Sequence, residues 1–346
     1  MKAAFVTGPR RMEIRDIPMP RIQRDDEVLL KVDMVGVCGS DVHIYKTGQI
    51  GGLAAEFPWI VGHECAGTVA AVGASARGLT PGRRVAVDPL IACGRCDQCL
   101  SGRKHTCRNQ KFLATPGQAP GALAEYVVLP AECCYPIPDS MSFVQAALSE
   151  PLAVALHARN LARIQPGQTA AVLGCGPIGL CVLASLRQAG AGRLYATDLL
   201  DYRLEAARRM GADWTGSPLR QDVVGSIVRA EPAGVDFAFE CAGQQETVDG
   251  GLRLLRPGGM LLLVGISEQE RITIDIHPAR RHELTLQNVR RQNECVREAL
   301  DIVAGEKVNL DPLATHDFAL ADSQAAFEMV SEYRDGVIKA MIHVAE

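Results

Sequence analysis

The run Gly174-Cys-Gly176-Pro-Ile-Gly179 follows directly on an apolar stretch, 169–174, and opens a stretch with helical spacing. A glycine-rich turn between a strand and a helix constrains this fold more than any other feature. The first glycine permits the tight turn. The second lets the backbone approach a pyrophosphate, and the third lets helix and strand pack closely. The helix start, with Pro177 and Ile178 in its first turn, offers free N–H groups and a positive dipole end to phosphates. The next apolar strand, 193–198, ends in Asp198. A carboxylate there can accept hydrogen bonds from an adenosine ribose and would repel a 2′-phosphate. Leu199 follows rather than an arginine, which favours NAD over NADP, and Arg203 is a candidate to flank the adenine ribose. The plainer role for Asp198 is to cap the next helix.

Apolar strands at 193–198, 235–240 and 260–265 alternate with helical stretches such as 202–210. That pattern predicts an α/β region built on a parallel sheet covered on both faces. Residues 170–186 are apolar enough to imitate a membrane span, but their three glycines and a proline mark a buried strand, turn and helix. Residues 1–148 read differently, as short strands between Gly and Pro turns. The stretch 27–37 partly alternates, as a half-buried strand does, and 66–72, 84–88 and 125–129 are further strands. A helix over 145–161 opens the second region. A helix over 294–305 and a strand-like stretch over 336–344 close the chain. The predicted organisation is one domain over 1–148, a second over 149–284, and a return to the first over 285–346.

Cys93, Cys96, Cys99 and Cys107 crowd one short loop. Two-residue gaps let neighbouring thiolates turn back onto one centre, and the fourth can close a tetrahedron, which suits a structural zinc. A disulfide or iron–sulfur loop is the competing reading of the spacing. A second constellation joins Cys38-Gly-Ser-Asp-Val-His43 with Gly62-His63-Glu64, and Glu150-Pro151 adds a carboxylate at the domain boundary. A zinc held by few protein ligands keeps a position open for water or substrate. Taken singly, Cys38 would be a core residue and His63 a hydrogen-bonded structural one. The net charge is −4, from 36 basic and 40 acidic residues, and gives no sign of a nucleic-acid or membrane-surface partner. The N-terminal stretch 1–9 has only a short apolar run, unlike a secretory signal, so the twelve cysteines are expected in the reducing cytoplasm.

With these residues in view, the chain resembles the zinc-dependent medium-chain dehydrogenases from end to end. Gly62-His63-Glu64 with Gly67, the four-cysteine lobe and the loop 174–179 carry the likeness. The resemblance implies a Rossmann doubly wound sheet domain and a GroES-like β-rich catalytic domain. It also implies NAD and two kinds of zinc site, one structural and one catalytic. The catalytic zinc would be bound by Cys38 and His63, with Glu64 and Glu150 as carboxylate ligands or water-mediated partners. Cys241 and the run Val264-Gly265-Ile266 would lie along the cofactor.

Within the family the likeness is to the polyol (sorbitol, iditol, xylitol) branch. The stretch 149–157 and Phe112-Leu-Ala-Thr115-Pro116 carry it, Phe112 and Thr115 being pocket residues there. The threonine dehydrogenase branch shares the 38–43 frame but favours Thr at the place of Ser40, Asp at that of Glu150 and His at that of Leu90. Ile44 stands where polyol enzymes often carry Tyr as a substrate contact, and Val289-Arg290-Arg291 where they often carry Phe-Arg-Tyr. Arg290 could hydrogen-bond a substrate hydroxyl or the zinc-bound water. Arg291 either turns to solvent or clamps a carboxylate or phosphate. The expected reaction is oxidation of a secondary alcohol of a polyol to the ketose. Ser40 or a Glu150-linked water would take the proton and His43 would pass it to solvent. Alternatives are a threonine-type dehydrogenase and a dehydrogenase of an anionic polyol. By resemblance the chain is expected as a homotetramer, with strand 337–344 and the Leu261 region in subunit contacts.

Overall fold

The computed structural model describes residues 1–345. The chain forms two compact units, and both are discontinuous. The first comprises residues 1–150, 296–306 and the C-terminal segment from 314.

Its main sheet is nearly all antiparallel. The strands run in the order Cys134–Pro136, Arg84–Val87, Glu64–Val72, Glu27–Gly36, Lys339–His343 and Ala314–Ala319, with Tyr126–Pro130 also pairing Glu27–Gly36. Every second residue of Glu27–Gly36 is buried from Val28 to Met34, the alternation expected where one face meets a core. Val28, Leu30 and Val32 on that face join Val69, Val85, Leu129, Phe327 and Ile342 in one hydrophobic cluster. Gly36 pairs with Glu64 on one side and with Met341 on the other. The C-terminal strand is therefore interior to this sheet.

The second unit comprises residues 151–295 and 307–313. Its strands are all parallel, in the order Trp214–Gly216, Leu194–Thr197, Ala170–Leu173, Val235–Glu240, Leu255–Leu263 and Thr285–Asn288. Ala170–Leu173 and Leu194–Thr197 are buried at every residue, as in a sheet covered on both faces. The chain lays down two strands to one side of Ala170–Leu173 and then returns to build the other side from Val235–Glu240. That reversal is the doubly wound arrangement, and ligands of such sheets sit at the carboxyl ends of the strands beside it.

Three sequence expectations need adjusting. The second unit does not stop at 284, because Thr285–Asn288 adds a strand to its sheet. The domain change near 148 is not a break either, since the helix Phe143–Ala162 runs through it with Pro151 inside. The strands Lys339–His343 and Leu255–Leu263 are each paired on both edges, so neither offers a free edge to another subunit. Among the described residues, no helix is long and apolar enough to cross a membrane. The apolar stretch 170–186 is the strand Ala170–Leu173 followed by the helix Pro177–Gln188.

Candidate functional site

The four cysteines of the loop meet. Cys96 Sγ lies 3.6 Å from Cys99 Sγ and 3.8 Å from Cys107 Sγ, and Cys93 Sγ lies 4.0 Å from Cys99 Sγ. Thiolates at about 2.3 Å from a tetrahedral zinc stand roughly 3.8 Å apart, so the cluster has the size of a zinc site. Backbone N–H groups of Cys93 and Asn109 donate to Cys107 Sγ at 3.3 and 3.4 Å. The Cys93 thiol is drawn down to about 6, chiefly by the Arg95 backbone N–H. Burial pushes Cys99 up to about 12. None of the twelve cysteines is in a disulfide.

Cys38, His63 and Glu64 form the second group, with one donor atom of each within 4.8 Å of the others. Cys38 immediately precedes the helix Gly39–Thr47, and Glu64 begins the strand Glu64–Val72. His63 and Glu64 are buried. His63 Nδ1 lies 3.2 Å from the buried Asp41 carboxylate. Burial alone would lower the imidazole pKa, but Asp41 and Cys38 outweigh it and hold it well above its usual value. Ser40 Oγ donates to Cys38 Sγ at 3.2 Å. Glu150 is buried but stands outside the three-residue group, which differs from a role as direct ligand. Burial, reinforced by Glu64 and Asp88 against His63 and Lys339, raises its carboxyl to about 7. The donor set of thiolate, imidazole and carboxylate, largely closed to solvent, fits zinc with few protein ligands.

Of the expected pocket residues, Phe112 packs its ring against His63, with centroids 5.4 Å apart, and Thr115 is buried. His43 is half-buried. Ile44 departs from expectation: it is 2% exposed and belongs to the hydrophobic cluster of its unit, on the inward face of Gly39–Thr47 with Tyr45. Arg290 is exposed, whereas Arg291 is half-buried with a left-handed backbone, φ 52°.

In the second unit, Gly174 has φ 99°, and a Cβ there would stand 2.9 Å from the Ala242 nitrogen. A Cβ on Gly179 would strike the Gly174 carbonyl oxygen. The helix Pro177–Gln188 starts from Gly176 with no side-chain cap, which leaves its first N–H groups for a ligand. Asp198 Oδ2 accepts the Cys175 N–H at 2.7 Å, Oδ1 accepts the Leu200 N–H at 3.0 Å, and Arg203 stands 3.8 Å away. Cys241 and Val264, Gly265 and Ile266 follow the carboxyl ends of the adjacent strands Val235–Glu240 and Leu255–Leu263. The geometry fits a dinucleotide lying across these ends.

Three residues escaped the sequence reading. Asp41 orients His63. Lys339, 1% exposed, brings its ammonium to 2.7 Å from both Glu64 oxygens. Glu240 Oε1 accepts from the Ala242 and Gly243 N–H groups and the Thr247 hydroxyl at 2.7–2.8 Å, and so fastens the loop after its strand. A lone charge in a strand's apolar run was the available signal for Lys339.

Comparison with known proteins follows the same lines. The Alcohol dehydrogenase GroES-like domain family matches residues 24–139, and the Zinc-binding dehydrogenase family matches 177–305. Sorbitol dehydrogenase of Bacillus subtilis is 38% identical over 344 residues, covering 99% of this chain and 97% of that protein. L-idonate 5-dehydrogenase of Vitis vinifera is 34% identical over 349 residues, covering 99% and 94%. A solved Escherichia coli oxidoreductase/dehydrogenase of unknown specificity superimposes with a TM-score of 0.94 at 33% identity, covering 100% of this chain and 99% of its own.

Proposed function

The chain belongs to the zinc-dependent medium-chain dehydrogenases, and we propose that it reversibly oxidises a secondary alcohol of a sugar alcohol to the ketose with NAD. The observation that carries this reading is the Cys38, His63 and Glu64 group with the Phe112 ring against His63. A likeness to sorbitol dehydrogenase along nearly the whole chain supports the substrate class.

Cys38 and His63, with Glu64 as a ligand or water-mediated partner, would hold a zinc ion that supplies a Lewis acid for the substrate hydroxyl, and bound NAD would supply the hydride acceptor. The protein's own residues do the rest. Asp41 holds the His63 ring through Nδ1, which leaves Nε2 as the nitrogen that a metal would take. Ser40, beside Cys38 Sγ, takes the hydroxyl proton, and His43 passes it to solvent. Glu150, whose carboxyl burial pushes up, holds a water that can take or return the proton. Phe112 and Thr115 wall the substrate. Asp198 and Arg203 bind the adenosine ribose. Gly174, Gly176, Pro177, Ile178 and Gly179 cradle the pyrophosphate, and Cys241, Val264, Gly265 and Ile266 lie along the nicotinamide end. The four-cysteine loop holds the structural zinc.

A second reading, an anionic polyol, is favoured by Arg291, which is half-buried rather than turned out to solvent. The likeness to L-idonate 5-dehydrogenase, whose name specifies a sugar acid, points the same way. A cytoplasmic enzyme suits clustered reduced cysteines, and the assembly proposed from the resemblance is a homotetramer. NADH formation on C4 to C6 polyols, their phosphates, aldonic acids and L-threonine tests the reading. Turnover of neutral polyols supports it. Turnover confined to acids or phosphates selects the second reading and places Arg291 at the substrate, and turnover confined to L-threonine overturns both.

A further inference from the structure

Among the described residues, Ala114 is the only buried non-glycine residue with a left-handed backbone, φ 63°. A Cβ makes that conformation costly, and alanine has no polar side chain to offset it as asparagine or aspartate can. The residue lies between Phe112 and Thr115, the pair that walls the substrate. Thr115 N–H donates to the Phe112 carbonyl at 3.2 Å, so 112–115 is a β-turn with Ala114 as its third residue. A positive φ at that place ordinarily calls for glycine or asparagine. Thr115 then opens a second turn, in which Gln118 N–H donates to its carbonyl at 3.0 Å. There Pro116 and Gly117, φ 73°, stand at the central places that suit them. The second turn has the residues its geometry asks for, and the first does not. Strain of this kind persists only where the surroundings impose it, and it gathers at functional sites.

The surroundings include one side-chain donor. The indole Nε1–H of Trp59 donates to the Ala114 carbonyl at 2.9 Å. Leu113 N–H donates to the Pro89 carbonyl at 3.1 Å, and Leu113 bridges to Ala119. Of these bonds only the one from Trp59 reaches residue 114. Trp59 is itself fixed. It begins the short strand Trp59–Ile60, where it pairs with Val6 and Ile60 pairs with Phe5, and Gly121 N–H donates to the Ile60 carbonyl at 2.8 Å. His63 follows four residues later on the same segment. The segments 59–63 and 112–115 therefore meet twice. Trp59 holds the Ala114 carbonyl, and the Phe112 ring packs against His63 with centroids 5.4 Å apart. An indole N–H shielded from water needs an acceptor wherever it lies. That need alone does not select the carbonyl of a strained residue between the two that line the pocket.

We propose that Trp59 is a positioning residue that sets substrate selectivity: its bond to the Ala114 carbonyl holds the Phe112–Thr115 turn left-handed and so fixes how Phe112 and Thr115 meet the substrate. The inference rests on the reading that those two residues wall the substrate. Its test uses the full-length, zinc-loaded enzyme with NAD. Trp59→Phe keeps a ring and removes the donor, and the double variant Trp59→Phe with Ala114→Gly is made beside it. Three quantities are read: φ at residue 114 from crystal structures, the ratio of kcat/KM for the two alcohols of the panel above that the parent turns over best, and zinc content.

In W59F, residue 114 is expected to leave the left-handed region. The selectivity ratio changes roughly tenfold, mostly through KM, while zinc content stays that of the parent. Glycine takes the left-handed region without a steric cost, so Ala114→Gly in the W59F background returns the ratio toward the parent value. A purely structural Trp59 would lower Tm without moving the ratio, and Ala114→Gly would restore nothing. An unchanged φ at 114, an unchanged ratio in W59F, or a shift that Ala114→Gly does not relieve overturns the inference. If W59F does not fold, Trp59→Met, which fills the space with a flexible side chain, is read the same way. A parent that turns over nothing in the panel, or a ratio that Thr115→Val and Phe112→Leu both leave in place, overturns the reading of the wall and this inference together. A ratio that those two changes move and W59F does not overturns this inference alone.

Discussion

His63 Nδ1 lies 3.2 Å from the Asp41 carboxylate, with both side chains closed to solvent. The contact assigns the proton: Asp41 accepts from Nδ1–H, which leaves Nε2 with its lone pair for a metal. Asp41→Ala is expected to weaken catalytic-site zinc on the order of 10–100-fold, because the ring loses its orienting acceptor. Chelator titration of the purified holoenzyme checks this. Asp41→Asn should fall between, since its amide oxygen still accepts but carries no charge. Zinc retention equal to the parent in both variants would show that the ring is held by packing alone.

The four-cysteine loop is expected to act on stability before activity. Its largest helical piece, Asp97–Leu100, spans one turn, and the residues between the sulfurs are mostly exposed. Little apolar burial holds the loop closed, so the metal must do so. Cys96→Ser should lose the structural zinc and lower Tm by roughly 5 °C or more, from a few kcal/mol at about 2–4 °C for each. Metal analysis beside calorimetry measures both. An unchanged Tm after loss of that zinc would assign the cluster no structural role.

Asp198 already accepts from two backbone amides, of Cys175 in the phosphate loop and of Leu200. A ribose would use the remaining capacity of its oxygens, and a 2′-phosphate would meet a negative charge held in place. Asp198→Asn keeps an acceptor and removes that charge. The preference for NAD over NADP, measured as the ratio of kcat/KM, should fall roughly tenfold or more. A ratio unaffected by the change would place the ribose elsewhere.

What the sequence made legible was local. The turn at Gly174 to Gly179, the strand to Asp198 and the four cysteines each lie within a few tens of residues, and their spacing states the geometry. The strand Val235–Glu240 was readable because an apolar run between turns has few other folds. Lys339 and Glu64 lie 275 residues apart, and only the register on either side of Gly36 joins them. Ile44 was misread because family position took precedence over helix periodicity: Asp41, Val42, Ile44 and Tyr45 are the buried residues of one short helix. The domain limit at 284 failed for a related reason. Thr285–Asn288 holds no fully buried residue and lacks the apolar run by which the inner strands announce themselves.

Acid sensitivity of the second unit should trace in part to Asp236. Its carboxylate accepts from the Thr169 N–H at 2.8 Å, the Thr169 hydroxyl at 3.1 Å and Arg256 Nε at 2.7 Å. These bonds tie the starts of two neighbouring parallel strands together. Burial alone would raise its pKa, but the Thr169 amide and Arg256 outweigh it and hold the group below its ordinary 3.8. A depressed carboxylate contributes stability above the unfolded pKa and loses it as pH falls through the folded one. Asp236→Asn is therefore expected to cost roughly 1–2 kcal/mol at about pH 7, discounted because Arg256 is 45% exposed. The gap between variant and parent should close as the pH falls past the ordinary 3.8 and through the lower folded-state value. Denaturant melts of the metal-loaded chains across that range measure it, and a gap that stays constant into acid would show that the Asp236 charge contributes nothing.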